Sequence, residues 1–187
     1  MKKNRIIKLT LTAMMMALCY IGANFIKFDI PTPFGATKFH LGNTFCILAS
    51  LILGGTYGGI AGALGMSIGD LMDPMYVASA PKTMITKFII GFVAGSIFHK
   101  VLKDKNIKFN LKVIISAAAG AFSNILVEPV ISYAYYKFIL GLSEKAAGAF
   151  TGIKFLTTTV NAILASIIVP ILFIALYNRT SIKDLNK

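Results

Sequence analysis

The chain has 187 residues, of which 56% are hydrophobic and only 14% charged, with a mean hydropathy of +0.75 and a net charge of +12. Soluble domains carry about 25% charged residues, so this composition excludes an ordinary water-soluble fold. The length admits roughly six spans of about 20 residues and leaves no room for a separate soluble domain, so one membrane domain over residues 1–187 is expected.

The first apolar run (residues 7–26) follows the basic start Lys2, Lys3, Arg5, Lys8. It extends too far for a signal peptide, and Leu18 suits a lipoprotein cleavage box poorly, so it reads as the first span. Within it, Ala13-Met14-Met15-Met16-Ala17 sets two alanines four apart, a flat strip flanked by adaptable methionines. Such a strip suits docking to another membrane protein or packing within the chain. Cys19 and Cys46 sit in apolar sequence without metal-ligand spacing and read as small buried hydrophobes. Neither a metal nor another cofactor is expected.

The segment Lys27–Leu41 (KFDIPTPFGATKFHL) is rich in turn formers and aromatics. Taken alone it reads as a plain connector; such a loop can also fold over an outward pocket as a lid, with Phe28, Phe34 and Phe39 as apolar walls. His40 and Asn43 open the second helix (40–54), where they serve equally well as caps or as ligand contacts. The third helix (56–72) carries glycines every three or four residues from Gly54 to Gly69, which lets helix backbones approach closely in lipid. The fourth, fifth and sixth helices are expected at 83–102, 112–140 and 150–177, with proline interruptions at Pro129 and Pro170.

Twelve of the 19 basic residues fall at the N-terminus, in the loop Lys100–Lys112 and at the C-terminus. An even number of spans with basic ends places both termini in the cytoplasm of a multi-pass cell-membrane protein. The expected fold is therefore an all-α integral membrane protein, a bundle of six transmembrane helices. The basic residues are scattered over these ends and form no single patch, which argues against nucleic-acid binding.

With that topology, Lys87 near the start of helix four, Asn124 and Glu128 in helix five, and Lys154, Thr158 and Asn161 in helix six converge at one level with Asp70, Asp73 and Lys82. Ionisable groups in a span are costly unless paired or facing a cavity. Two readings stand at this point: a polar pocket opening outward, or a structural Glu128–Lys154 ion pair with snorkelling lysines. Enzyme chemistry has little support, because His40 and His99 are the only histidines and neither a His-Glu-x-x-His nor a Gly-x-Ser-x-Gly motif occurs. A self-sufficient small carrier or channel is the alternative, with Glu128 and Lys154 serving an ion path; its expected internal repeat is not visible.

The Ala13/Ala17 strip, the proline-bearing first loop, the segment HLGNTFCILASLILGGTYGGIAGALGMSIGDLMDP and the following APKTMITKFIIGFVAG helix together resemble the substrate-binding S component of an energy-coupling factor (ECF) vitamin transporter. The resemblance implies a membrane protein that captures a vitamin or precursor with high affinity at the outer face. It also implies a transmembrane coupling subunit and two cytoplasmic ATPases as partners, with Ala13 and Ala17 as the docking surface. The absence of a Gly-x-x-x-x-Gly-Lys-[Ser/Thr] loop agrees, since ATP is then hydrolysed on another chain. Phe34, His40, Asn43, Lys87, Asn124, Glu128, Lys154, Thr158 and Asn161 are the expected substrate contacts. Riboflavin, a pyridoxine-like or pyrimidine precursor, pantothenate and folate all remain open, the nearby tyrosines favouring a heteroaromatic one.

Overall fold

The computed structural model of the protein describes residues 2–32 and 35–179. Among them six helices are present: α1 (Lys2–Asn24), α2 (Gly42–Leu53), α3 (Gly55–Met72), α4 (Ala80–Ser96), α5 (Phe109–Ala134) and α6 (Glu144–Arg179). A single π-helical turn extends α4 through Ile97–Val101, and another extends α5 through Tyr135–Ile139. The expected loop after α1 is instead an antiparallel hairpin, β1 (Lys27–Thr32) and β2 (Gly35–His40), in register from Lys27 opposite His40 to Thr32 opposite Gly35. Alternating β-branched and aromatic residues at Phe28, Ile30, Thr37 and Phe39 favour the two strands.

Among the described residues, four segments are long and apolar enough to cross a bilayer: Arg5–Asn24, Val77–Val101, Phe109–Ile139 and Glu144–Arg179. The remaining two helices are shorter or glycine-rich. At about 1.5 Å per residue, α2 reaches only about 18 Å against a hydrocarbon thickness of about 30 Å. Its position explains how it tolerates that length. Every residue of α2 except Phe45 is buried, and it packs against all five other helices.

The helices are ordered inside out relative to a water-soluble bundle. On α5, Phe122, Leu126 and Val130 point outward, 55–70% exposed, while Ala117, Ala121, Asn124 and Glu128 face the interior. Large apolar side chains outside and small or polar ones inside are what lipid contact and close helix packing require. Glycine supplies the closest approaches. A Cβ on Gly62 would collide with Cys46 of α2, and one on Gly65 with the Met16 carbonyl of α1. Both cysteines are free and buried, as expected.

Pro129 and Pro170 lie inside α5 and α6, which continue past them. The core of Ile47, Leu51, Met66, Ile90, Ala117 and Val169 fills the middle of the bundle. Near the ends of α4 and α6, Phe98 packs edge-on to Phe173 at 5.3 Å between ring centroids, and Phe109 lies 4.3 Å from Tyr177. This aromatic plug and the buried polar residues occupy opposite ends of the molecule.

Candidate functional site

Helical periodicity brings the polar residues to one end. Lys154, Thr157, Thr158 and Asn161 recur at the i, i+3, i+4 and i+7 positions of one α6 face, and Asn124, Glu128 and Ser132 form a row on α5. The α6 row, Glu128 of the α5 row, the start of α4 and the end of α3 surround a cavity of about 40 Å³. β2 covers it with Thr37, Lys38 and His40, and α2 contributes Asn43. Met66, Asp70 and Tyr76 close one side, Lys82, Thr83 and Lys87 another, and Glu128 faces the α6 row.

Asp70 has both oxygens engaged: Lys38 Nζ donates to Oδ1 at 2.8 Å and Thr83 Oγ1 donates to Oδ2 at 2.7 Å. Glu128 Oε1 accepts from Lys82 Nζ and, at 3.2 Å, from Ser132 Oγ. Lys87 Nζ stands 3.8 Å from Glu128 Oε2, an oxygen that accepts no hydrogen bond. The Glu128–Lys154 ion pair, the alternative to a polar pocket, does not form; Glu128 pairs with Lys82 instead. Lys154 lies instead over aromatic rings, 5.3 Å from the centroid of Phe150 and 5.9 Å from that of Tyr76. α5 packs against both α4 and α6, so neither depth along the membrane nor helix neighbourhood specifies which lysine reaches Glu128.

The hairpin is fastened to α6 by Asn161. Its Oδ1 accepts from the His40 backbone N–H at 3.0 Å, and its Nδ2 donates to the Lys38 carbonyl at 3.0 Å. The amide thus continues the hydrogen bonding of β2. Thr37 and Thr157 add a hydroxyl contact at 2.7 Å. At the hairpin root, Lys27 bridges Asp29 and Asp73, each at 3.0 Å, while Tyr76 donates to Asp29 at 2.7 Å. Partial burial works to lower the Lys27 pKa, but the two carboxylates outweigh it and raise it; burial works to raise that of Asp73, but Lys27 outweighs it and lowers it. Burial and then the Asp29 carboxylate push the Tyr76 phenol up. His40 is held well below the ordinary imidazole range by burial and by the cations of Lys87 and Lys38.

Seven of the nine expected contacts line the cavity: His40, Asn43, Lys87, Glu128, Lys154, Thr158 and Asn161. Asn124 is buried one turn from Glu128, outside the lining, with its Oδ1 unpartnered. Phe34 lies outside the described residues, as do Lys183 and Lys187 of the basic C-terminus. Phe28 is 69% exposed and Phe39 does not line the cavity, so among the described residues the hairpin lends it Thr37, Lys38 and His40. His40 does act on the start of α2: its Nδ1 accepts from the Gly42 N–H at 3.0 Å. Asn43 makes no side-chain cap and leaves a buried Oδ1 without a partner. Lys38 and Thr37 were not singled out by the sequence, though Lys38 stands in a strand that hydrophobic alternation could have oriented.

On the opposite side of α1, Ala13 and Ala17 are exposed. With Met16, Tyr20, Gly65 and Ile68 they line an apolar groove of about 220 Å³ between α1 and α3.

No curated protein matches the chain. It is similar in fold to a solved structure described as "Structure and mechanism of the S component of a bacterial ECF transporter", with a TM-score of 0.56, 22% identity, and coverage of 94% of this chain and 95% of that one. The family model "ECF-type riboflavin transporter, S component" matches residues 3–178. A match over nearly the whole chain, on a fold that buries its polar residues under one hairpin, means that this protein belongs to the ECF-type riboflavin transporter S component family.

Proposed function

We propose that this chain, over residues 1–187, captures a vitamin or related precursor from outside the cell membrane and delivers it through a separate ATP-driven module. S components are substrate-binding transporter subunits and not enzymes, so the open matters are the ligand, the orientation and the partners. The observation that carries the reading is a buried polar cavity with unsatisfied groups. Asn43 Oδ1 and Glu128 Oε2 both lack hydrogen-bond partners at its wall. Buried acceptors left unpaired are costly, and a ligand bearing N–H or O–H groups would satisfy them.

The cavity of about 40 Å³ is a closed form, since small-molecule sites span about 300 to 1,000 Å³. Admission of a vitamin requires the hairpin to lift from α6 and the lysine side chains to swing aside. The hairpin is the natural gate, because two side chains of α6, Asn161 and Thr157, hold β2 to it. Riboflavin, named in the family description, is one candidate, alongside pyridoxine-like or pyrimidine precursors, pantothenate and folate.

The partner reading rests on the exposed Ala13/Ala17 strip. A flat, small-residue helix face offers a transmembrane coupling subunit close backbone approach, and two ATPases bound to that subunit would supply the energy. Six spans with cytoplasmic termini follow from the basic excess near Lys103, Lys105 and the chain ends, which puts the hairpin outside. A cysteine at Lys105 is then labelled by impermeant reagents only from the cytoplasmic side.

Reconstitution of the chain alone in proteoliposomes tests the function. Binding of a vitamin without accumulation is expected. Concentrative or ion-coupled uptake by the chain alone would establish the secondary-carrier alternative instead.

A further inference from the structure

The cavity wall holds more cations than anions. Lys38, Lys82, Lys87 and Lys154 bring four ammonium groups to it, against the two carboxylates of Asp70 and Glu128. All six side chains are at least nine-tenths buried. Two lysines have settled partners: Lys38 pairs with Asp70, and Lys82 with Glu128. The other two do not. Lys87 is 3.8 Å from an oxygen of a carboxylate already bound to Lys82, and among the described residues Lys154 has no carboxylate within 4 Å. With every lysine protonated, adding the rim triad of Lys27, Asp29 and Asp73 still leaves five cations facing four anions.

An uncompensated charge away from water is costly, and ring faces offset only a part of that cost for Lys154. A binding site that retains such a surplus is complementary to negative charge. We propose that the ligand carries a carboxylate or phosphate, with the ammonium groups of Lys154 and Lys87 as its counter-ions. The same ligand brings at least one N–H or O–H donor, since Asn43 Oδ1 and Glu128 Oε2 are the unpaired acceptors at the wall. Glu128 then disfavours a second acidic group on its side of the cavity, which limits the ligand to an acid with a donor-rich body. This inference rests on the substrate-capture reading above and narrows its substrate class.

Matched pairs that differ in the anionic group provide the test: flavin mononucleotide and riboflavin, pyridoxine phosphate and pyridoxine, pantothenate and pantothenol. Each is titrated against the full chain in nanodiscs, and any small molecule retained through purification is identified by native mass spectrometry. The anionic member of at least one pair is expected to bind about 10- to 100-fold more tightly than its neutral partner, as for a charge-assisted hydrogen bond. Lys154→Met should close that gap, and Lys154→Arg should keep most of it. If Lys154→Met fails to fold, Lys87→Met with the same pairs takes its place. A retained molecule that is an acid supports the inference when none of the pairs binds. Neutral members binding as tightly as anionic ones, or a neutral retained molecule, would overturn it and leave substrate capture intact. No binding by any probe and no retained molecule would remove both.

Discussion

Asn161→Ala isolates the hold of α6 on the hairpin. The side chain makes two neutral hydrogen bonds to β2, to the His40 N–H and to the Lys38 carbonyl, both at 3.0 Å. Each contributes about 0.5 to 1.5 kcal/mol net, so the variant should favour the lifted hairpin by about 2 kcal/mol, close to a 30-fold shift in the closed-to-open ratio. The two backbone groups are freed to reach water in the open form, which adds to the bias. Thr157→Val removes one contact to the hairpin, the hydroxyl pair with Thr37, together with that hydroxyl's bond to the Lys154 carbonyl inside α6, and should shift the ratio about fivefold. Hydrogen exchange measured by mass spectrometry on peptides covering residues 35–41 reads the opening directly, and stopped-flow release of bound ligand reads its consequence. Both rates should rise in the order wild type, Thr157→Val, Asn161→Ala. Faster release with unchanged exchange would refute the anchoring role and make Asn161 a direct ligand contact.

The six helices were legible in the sequence because their cause is local: long apolar stretches, glycine spacing and breakers act within one segment. The hairpin was not, since Pro31, Pro33 and Gly35 signal a turn without saying whether the flanks pair. Depth also came through. A helix rises steadily through the membrane, so topology alone brought Lys87, Glu128, Lys154 and Asn161 to one level, and all four line the cavity. Partner choice did not, because it depends on which side chains reach across between packed helices. Glu128 had Lys82, Lys87 and Lys154 at similar depth, and α5 packs against both α4 and α6, yet the close ion pair is with Lys82. Asn124 misses for another reason: it shares the α5 row of Glu128 but sits one turn, about 6 Å, further along the helix, and so falls outside the lining. Asn161 shows a further one, since its backbone partners Lys38 and His40 are more than 120 residues away in sequence.

Ala17→Trp should abolish association with the coupling subunit in a detergent pull-down while ligand affinity in the isolated chain stays unchanged, because Ala17 is exposed in the α1–α3 groove, away from the cavity. Equal loss of ligand affinity would make the strip internal packing. The hairpin root is expected to respond to acid. Asp73 has a lowered pKa and Lys27 a raised one, so their bond contributes fully at neutral pH, is lost as pH falls through the Asp73 value, and is lost again only when Lys27 deprotonates. Exchange protection of residues 27–32, corrected for intrinsic rates, should therefore drop on acidification in the wild type and be flat over the same range in Lys27→Met. The last expectation concerns Glu128, whose loss strands two buried ammonium groups, Lys82 and Lys87. Glu128→Gln should cost about 3 to 5 kcal/mol in a ligand-free thermal or denaturant unfolding series, whereas Lys82→Met added to it should recover a large part of that loss by removing one stranded charge. Additive destabilisation in the double variant would show that the two side chains do not act as a pair. Unchanged stability together with weakened ligand binding would show that Glu128 is held for the ligand, with Lys82 only a bystander in the closed form.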